Sequence, residues 1–163
     1  MHDELVQLLG AAKVSATAEV LNIHAADKWH ASSLPEAVVF AETTADIVTV
    51  MQFAHERRIP VTTRGSGVGY VGGCVPEKGG IALSLSRMTR ILELNPADGI
   101  AVVQPGVITG TLQDAARGVG WYYPPDPALS LIHISEPTRR YAIAYAGVCL
   151  EKKGGGGGGG GGG

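Results

Sequence analysis

Five glycines fall within nine residues, at positions 65, 67, 69, 72 and 73, in the segment PVTTRGSGVGYVGGCVP from Pro60 to Pro76. Glycine at this density lets the backbone take positive φ and turn consecutive N–H groups toward one point, which makes an anion nest suited to a pyrophosphate. Arg64 sets a permanent positive charge beside the loop, and Ser66 offers a hydroxyl donor. From Gly67 to Gly72 the chain reads G-V-G-Y-V-G, which matches the G-x-G-x-x-G dinucleotide fingerprint. That fingerprint requires a helix to open directly after it, whereas Gly73-Cys74-Val75-Pro76 follows here. No Gly-Lys-Ser/Thr follows either, so the segment is not a P-loop. On residue types alone, it is either an anion-binding loop or simply a tortuous one.

Other reactive side chains point to less. His24 and His30 are six apart with no carboxylate partner pattern, and His55 falls near the end of an amphipathic stretch. No metal site is expected among them. Cys74 reads as a small packed side chain rather than a nucleophile. Trp29, Trp121, Tyr122 and Tyr123 read as core or cofactor-packing residues.

The elements around the loop follow an α+β order. Residues 3–30 are expected to be helical or irregular, with Leu5, Leu8, Leu9 and Ala12 on one face of a peripheral helix that packs on segments beyond this chain. Ala37–Phe40 is a short apolar strand. Thr43 or Thr44 can cap a helix with Asp46 in its first turn, and Ile47, Val50, Met51 and Ala54 give it an apolar face. Arg57-Arg58 suit its end, and Pro60 bars continuation. Strands are expected at Val61–Thr63 and Ile81–Ser84. A hairpin joins Ile91–Leu94 to Ile100–Gln104 through Asn95-Pro96-Ala97-Asp98-Gly99. Thr109 or Thr111 can start a helix running to about Arg117, closed by Gly118 or Gly120, and Tyr122-Tyr123 continues as a strand.

The formal net charge is −2, and 45% of residues are hydrophobic, a normal share for a globular core. No basic field for nucleic acid exists, and no run of 18 apolar residues suggests a transmembrane segment. The N-terminus carries acids and no signal-peptide pattern, and Cys74 and Cys149 form no disulfide framework, so a cytoplasmic setting is expected.

Composition changes near Leu129. LSLIHISEPTR, Leu129 to Arg139, resembles the in-frame translation of a sequencing-library adapter, and Gly154 to Gly163 is an unbroken glycine run. Residues 129–163 are therefore expected to be a translated artefact and disordered. Residues 1–128 then hold nine Lys and Arg against thirteen Asp and Glu, which argues further against a nucleic-acid partner. The expected organisation is an N-terminal helical segment at 1–33, a partial domain at 34–128, and this tail.

Four segments in order give the partial domain a family. They are PEAVVFAETTADIVTVMQFAHERRIPV from Pro35, the loop RGSGVGYVGG, VVQPGV from Val102 to Val107, and YYPPDPA from Tyr122 to Ala128. Together they resemble the N-terminal part of the FAD-binding domain of the vanillyl-alcohol oxidase, or PCMH-type, flavoprotein family. Within it they are most similar to the FAD-binding subunit of glycolate oxidase and to D-lactate dehydrogenases of that type. The resemblance implies the N-terminal subdomain of the PCMH-type fold, with the glycine loop around the FAD pyrophosphate. Arg64, Gly65, Ser66, Gly67, Val68 and Gly69 would contact it, and Gly72 and Gly73 would shape the loop. Pro125, Asp126 and Pro127 would line the cofactor in a second segment, with Gln104-Pro105-Gly106 near it. Some relatives attach FAD covalently through a His; Val68 takes that position here, so non-covalent FAD is implied.

The implied chemistry is transfer of a hydride equivalent from a 2-hydroxy acid such as glycolate or D-lactate to the flavin, giving the 2-oxo acid. Partner subunits of a glycolate oxidase complex are implied as well. The catalytic residues would lie beyond residue 128 and are unknown. A flavin-dependent alkyl transferase or phenol oxidase of the same fold is the alternative. By itself the fragment is expected to be inactive, and a third reading is a fragment without function, because missing strands expose sheet edges and apolar surface.

Overall fold

The computed structural model describes residues 1–28, 31–124, 146–149 and 151–152. A four-stranded sheet is ordered β1 (Val14–Ser15), β2 (Ala37–Phe40), β4 (Ile81–Ser84), β3 (Val61–Arg64). β2, β4 and β3 run parallel, with Ala37 opposite Ile81 and Val61 opposite the same Ile81; β1 joins antiparallel, Val14 opposite Val39. Two parallel strands in one sheet need a crossover, and α3 (Thr44–Arg57) supplies it between β2 and β3. The return from β3 to β4 is the glycine loop.

β2 and β4 sit between neighbours and are covered on both faces, so their residues form continuous apolar runs rather than alternating ones. Val38, Val39, Ile81 and Leu83 are buried, each contributing about 1.5–3 kcal/mol of transfer free energy. Val50, Phe53 and Ala54 of α3 and Leu5 of α1 (His2–Leu9) close this core. Two expectations change here. The helix face is rotated, with Phe53 inside and Met51 about half exposed, because the strands lie against the side where Val50, Phe53 and Ala54 line up at helical spacing. The N-terminal region packs on this chain's own sheet through fully buried Leu5 and contributes β1, rather than waiting for absent segments. Its remainder is α2 (Ala18–His24).

α3 begins with a capping box: the Asp46 amide donates to Thr43 Oγ1 at 3.2 Å, and Asp46 Oδ2 accepts from the Thr43 amide at 3.0 Å. Lys13 Nζ lies 2.8 Å from Asp46 Oδ1 and ties the N-terminal segment to the same turn. Arg58 ends the helix in the left-handed region, with φ 52°.

A second sheet pairs β5 (Ile91–Asn95) with β6 (Ile100–Val103). The Asn95 side chain sets their turn, accepting from the Ala97 and Asp98 amides at 3.0 and 3.2 Å. α4 (Thr109–Gly118) lays Leu112 and Ala116 against Ala101, Val103 and Val107. Its first turn follows Ile108, with no side-chain cap from Thr109 or Thr111.

β7 (Trp121–Tyr122) pairs with β9 (Glu151–Lys152), and β8 (Ala146–Cys149) pairs with β6. The edge of β6 away from β5 presents N–H and C=O groups, and β8 takes them. These two short strands fall within the stretch expected to be disordered. Residues 129–145, 150 and 153–163, on which the rest of that expectation falls, lie outside the described residues. Among the described residues no helix is long and apolar enough to cross a membrane.

Candidate functional site

The glycine loop leaves the carboxyl end of β3, the end of a parallel sheet where ligands gather because loops there diverge. Its base is Arg64, the last strand residue, whose carbonyl accepts from the Leu85 amide at 2.9 Å. The Arg64 side chain is 8% exposed and runs beneath the loop. Its Nη1 donates to the Ala26 carbonyl at 2.6 Å and lies 3.8 Å from Cys74 Sγ. Gly67 stands over the guanidinium with φ +71°: a Cβ there would collide with Cζ and Nη2 of Arg64. Only glycine fits both the conformation and the close approach.

Among the described residues the amides of Ser66, Gly67, Val68 and Gly69 have no backbone acceptor. The amides of Tyr70 and Val71 have none either, and this run of donors beside a buried cation suits the phosphates of a dinucleotide. Gly72 takes φ +73°, and Tyr70 and Val71 project at the loop tip.

Gln104-Pro105-Gly106 is linked to the loop base through the turn after β4. Leu85, bonded to Arg64, accepts from the Met88 amide at 3.0 Å, and Met88 accepts from the Gly106 amide at 2.8 Å. A Cβ at Gly106 would lie 2.9 Å from the Met88 carbonyl oxygen, so the strand-to-turn contact needs glycine. Gln104 is buried, and its Oε1 accepts from the Arg90 amide at 2.9 Å. Pro125, Asp126 and Pro127 lie outside the described residues, as do Trp29 and His30.

The remaining candidates have structural partners. His24 is buried edge-on to Phe40 and donates from Nδ1 to the Val20 carbonyl at 2.8 Å. Burial lowers its pKa, so the ring is held neutral near pH 7. Burial raises the Cys74 thiol pKa; Arg64 pulls it down and Asp27 pushes it up, and burial prevails. A protonated thiol is a poor nucleophile. Trp121 and Tyr123 pack against the second core, while Tyr122 is 46% exposed. Among the described residues no three His, Cys, Asp or Glu side chains gather as a metal site would need.

The segment before the loop also reaches it. The Lys28 amide donates to the Gly69 carbonyl at 3.0 Å, and Asp27 Oδ2 accepts from the Gly72 amide at 3.0 Å. No local signal marks them, since their partners lie 41 to 45 residues away in sequence.

A family model described as an FAD binding domain matches residues 35–133. The glycolate oxidase subunit GlcD of Bacillus subtilis (strain 168) is 40% identical over 96 residues, covering 59% of this chain and 20% of that protein. The D-2-hydroxyglutarate dehydrogenase of Stutzerimonas stutzeri (strain A1501) is 34% identical over 126 residues, covering 76% of this chain and 27% of that protein. The chain thus spans about a quarter or less of the length of these curated relatives. Among solved structures, p-cresol methylhydroxylase with substrate bound matches with a TM-score of 0.70 at 23% identity, over 79% of this chain and 26% of that one. The fold is the N-terminal portion of the PCMH-type FAD-binding fold.

Proposed function

Because the chain belongs to the family of FAD-binding domains of FAD-linked oxidoreductases, we propose that its glycine loop holds the FAD pyrophosphate, without a covalent bond, in an enzyme that oxidises a 2-hydroxy acid to the 2-oxo acid. One observation carries this: the amides from Ser66 to Gly69, which have no backbone acceptor among the described residues, lie at the carboxyl end of β3 beside buried Arg64. Those amides would donate to phosphate oxygens, and Arg64 would hold the loop's shape and supply positive potential from below. Gly65 and Gly73 would flank the nest, and Pro125, Asp126 and Pro127 would border the cofactor. Val68 stands where some relatives carry a linking His, and a valine offers no nucleophile for attachment. Bound FAD would supply the two-electron acceptor.

The similarity to glycolate oxidase and 2-hydroxyglutarate dehydrogenase supports the 2-hydroxy acid as substrate, and the glycolate oxidase likeness supports partner subunits. A cytoplasmic setting belongs to the same proposal, as does the adapter origin of residues 129–163. None of the described residues is assigned to the chemical step, so the chain alone is expected not to turn over glycolate or D-lactate.

The test is titration of the full chain with FAD, followed by flavin fluorescence, with ADP as competitor. Saturable quenching reversed by ADP is expected, and acid precipitation should leave the flavin in the supernatant. Gly67→Ala should weaken FAD by about tenfold or more, since strain at such a position costs on the order of 1–3 kcal/mol. Absence of saturable binding by the wild-type chain would sink the reading.

A further inference from the structure

The neck of the glycine loop is closed from outside. Three consecutive residues, Ala26, Asp27 and Lys28, each bond to a different part of it. The Ala26 carbonyl accepts from Arg64 Nη1 at the loop's base. The Lys28 amide donates to the Gly69 carbonyl on one side of the tip, and Asp27 Oδ2 accepts from the Gly72 amide on the other. The two tip contacts flank Tyr70 and Val71, which are 53% and 81% exposed, so they pinch a two-residue projection at its root. The strap comes straight from the C-terminal end of α2, which is anchored by buried His24 and Ala25.

A glycine-rich loop has many conformations to lose on binding, and fixing each residue costs about 1–2 kcal/mol. A strap that fixes the neck in advance removes part of that cost from the binding step. We propose that Asp27 is a positioning residue for the cofactor loop: through the Gly72 amide it holds the neck closed so that the donors from Ser66 to Gly69 are preformed. The inference rests on the FAD-binding reading for its functional half. Its structural half stands on the loop alone.

An opposite role is conceivable for a carboxylate beside an anion nest. Asp27 would then occupy a donor that a phosphate needs, and its removal would tighten binding. The geometry favours the strap. Asp27 takes the amide of Gly72, outside the run of acceptor-free donors, and acts together with two backbone contacts from its neighbours.

The experiment compares the full wild-type chain with Asp27→Ala and Asp27→Asn. FAD affinity is measured by fluorescence titration, amide exchange in the loop by hydrogen–deuterium exchange without FAD, and folding by thermal melting. Asp27→Ala should weaken FAD about tenfold, the worth of one hydrogen bond to a charged acceptor, and speed exchange at Gly72 while the β2 and β4 amides stay protected. Asp27→Asn keeps an acceptor oxygen and should restore most of both. Unchanged or tighter FAD binding by Asp27→Ala overturns the positioning role. Unchanged exchange at Gly72 overturns the strap itself. If the wild-type chain binds no FAD, the functional reading fails, and the exchange measurement still decides the strap. If Asp27→Ala melts before measurement, Asp27→Asn is judged alone: slower exchange than wild type, or tighter FAD, overturns the proposal.

Discussion

The parallel half and the hairpin half of this chain bury their residues in different ways. In the first, β2 and β4 are covered on both faces and joined by α1 and α3, giving a core from Leu5 to Met88. In the second, β5 and β6 have one covered face. Ile100 and Leu92 stay exposed, and the core is Ala101, Val103, Val107, Leu112 and Ala116. The glycine loop grows from the first half, at the end of a sheet whose central strands are buried on both faces. The proposed nest would need a steady base, and a doubly covered sheet suits that need. The hairpin half instead supplies Gln104-Pro105-Gly106, tied back to that base through Leu85 and Met88.

Truncating one buried leucine in each half gives the largest contrast. Leu83→Ala should cost about 4 kcal/mol and Leu112→Ala about 2 kcal/mol, because the thinner core can collapse around the gap more readily. Urea unfolding followed by circular dichroism measures both, and equal costs would erase the proposed difference in rigidity.

A strike at the joint between the halves comes next. Gly106→Ala should cost about 2 kcal/mol, as overpacking against the Leu85 and Met88 carbonyls forces backbone to shift. It should also weaken FAD if the joint steadies the loop base. A stability loss with unchanged flavin affinity would show that the two halves act separately.

The smallest effect concerns the N-terminal clamp of the parallel half. Burial alone would raise the Asp46 pKa, but Lys13 and the Glu42 and Thr43 amides outweigh it and hold the carboxyl below its ordinary value. A carboxylate with a depressed folded pKa stabilises the fold above its unfolded pKa and loses that contribution as pH falls through the folded value. Asp46→Asn should therefore cost about 1 kcal/mol near pH 7, a cap's usual worth. The gap to wild type should close from about pH 4 downward. A gap independent of pH would mean that the ion pair with Lys13 contributes nothing.

Much of the architecture was legible in residue patterns. The strands at 37–40, 81–84 and 100–103 follow from apolar runs and the hairpin turn from its Asn-Pro-Ala-Asp-Gly residues, while the structure chose Thr43 over Thr44 as the cap and Asn95 as the side chain that sets the turn. The rotated face of α3 was not legible, since Ile47, Val50, Met51 and Ala54 make as plausible a stripe as Val50, Phe53 and Ala54 until the sheet's position is known. β1 was missed because two residues carry no periodicity.

By itself the sequence narrowed the glycine-dense segment beside Arg64 to an anion-binding loop or a merely tortuous one, and it held the ordered segments that carry the family resemblance. Only the tertiary structure decided how the loop is held. Arg64 turned out to lie buried beneath it, and Ala26, Asp27 and Lys28 close its neck from about forty residues away. The physical reason is that glycine composition grants a loop its freedom, while contacts distant in sequence choose which of its conformations persists.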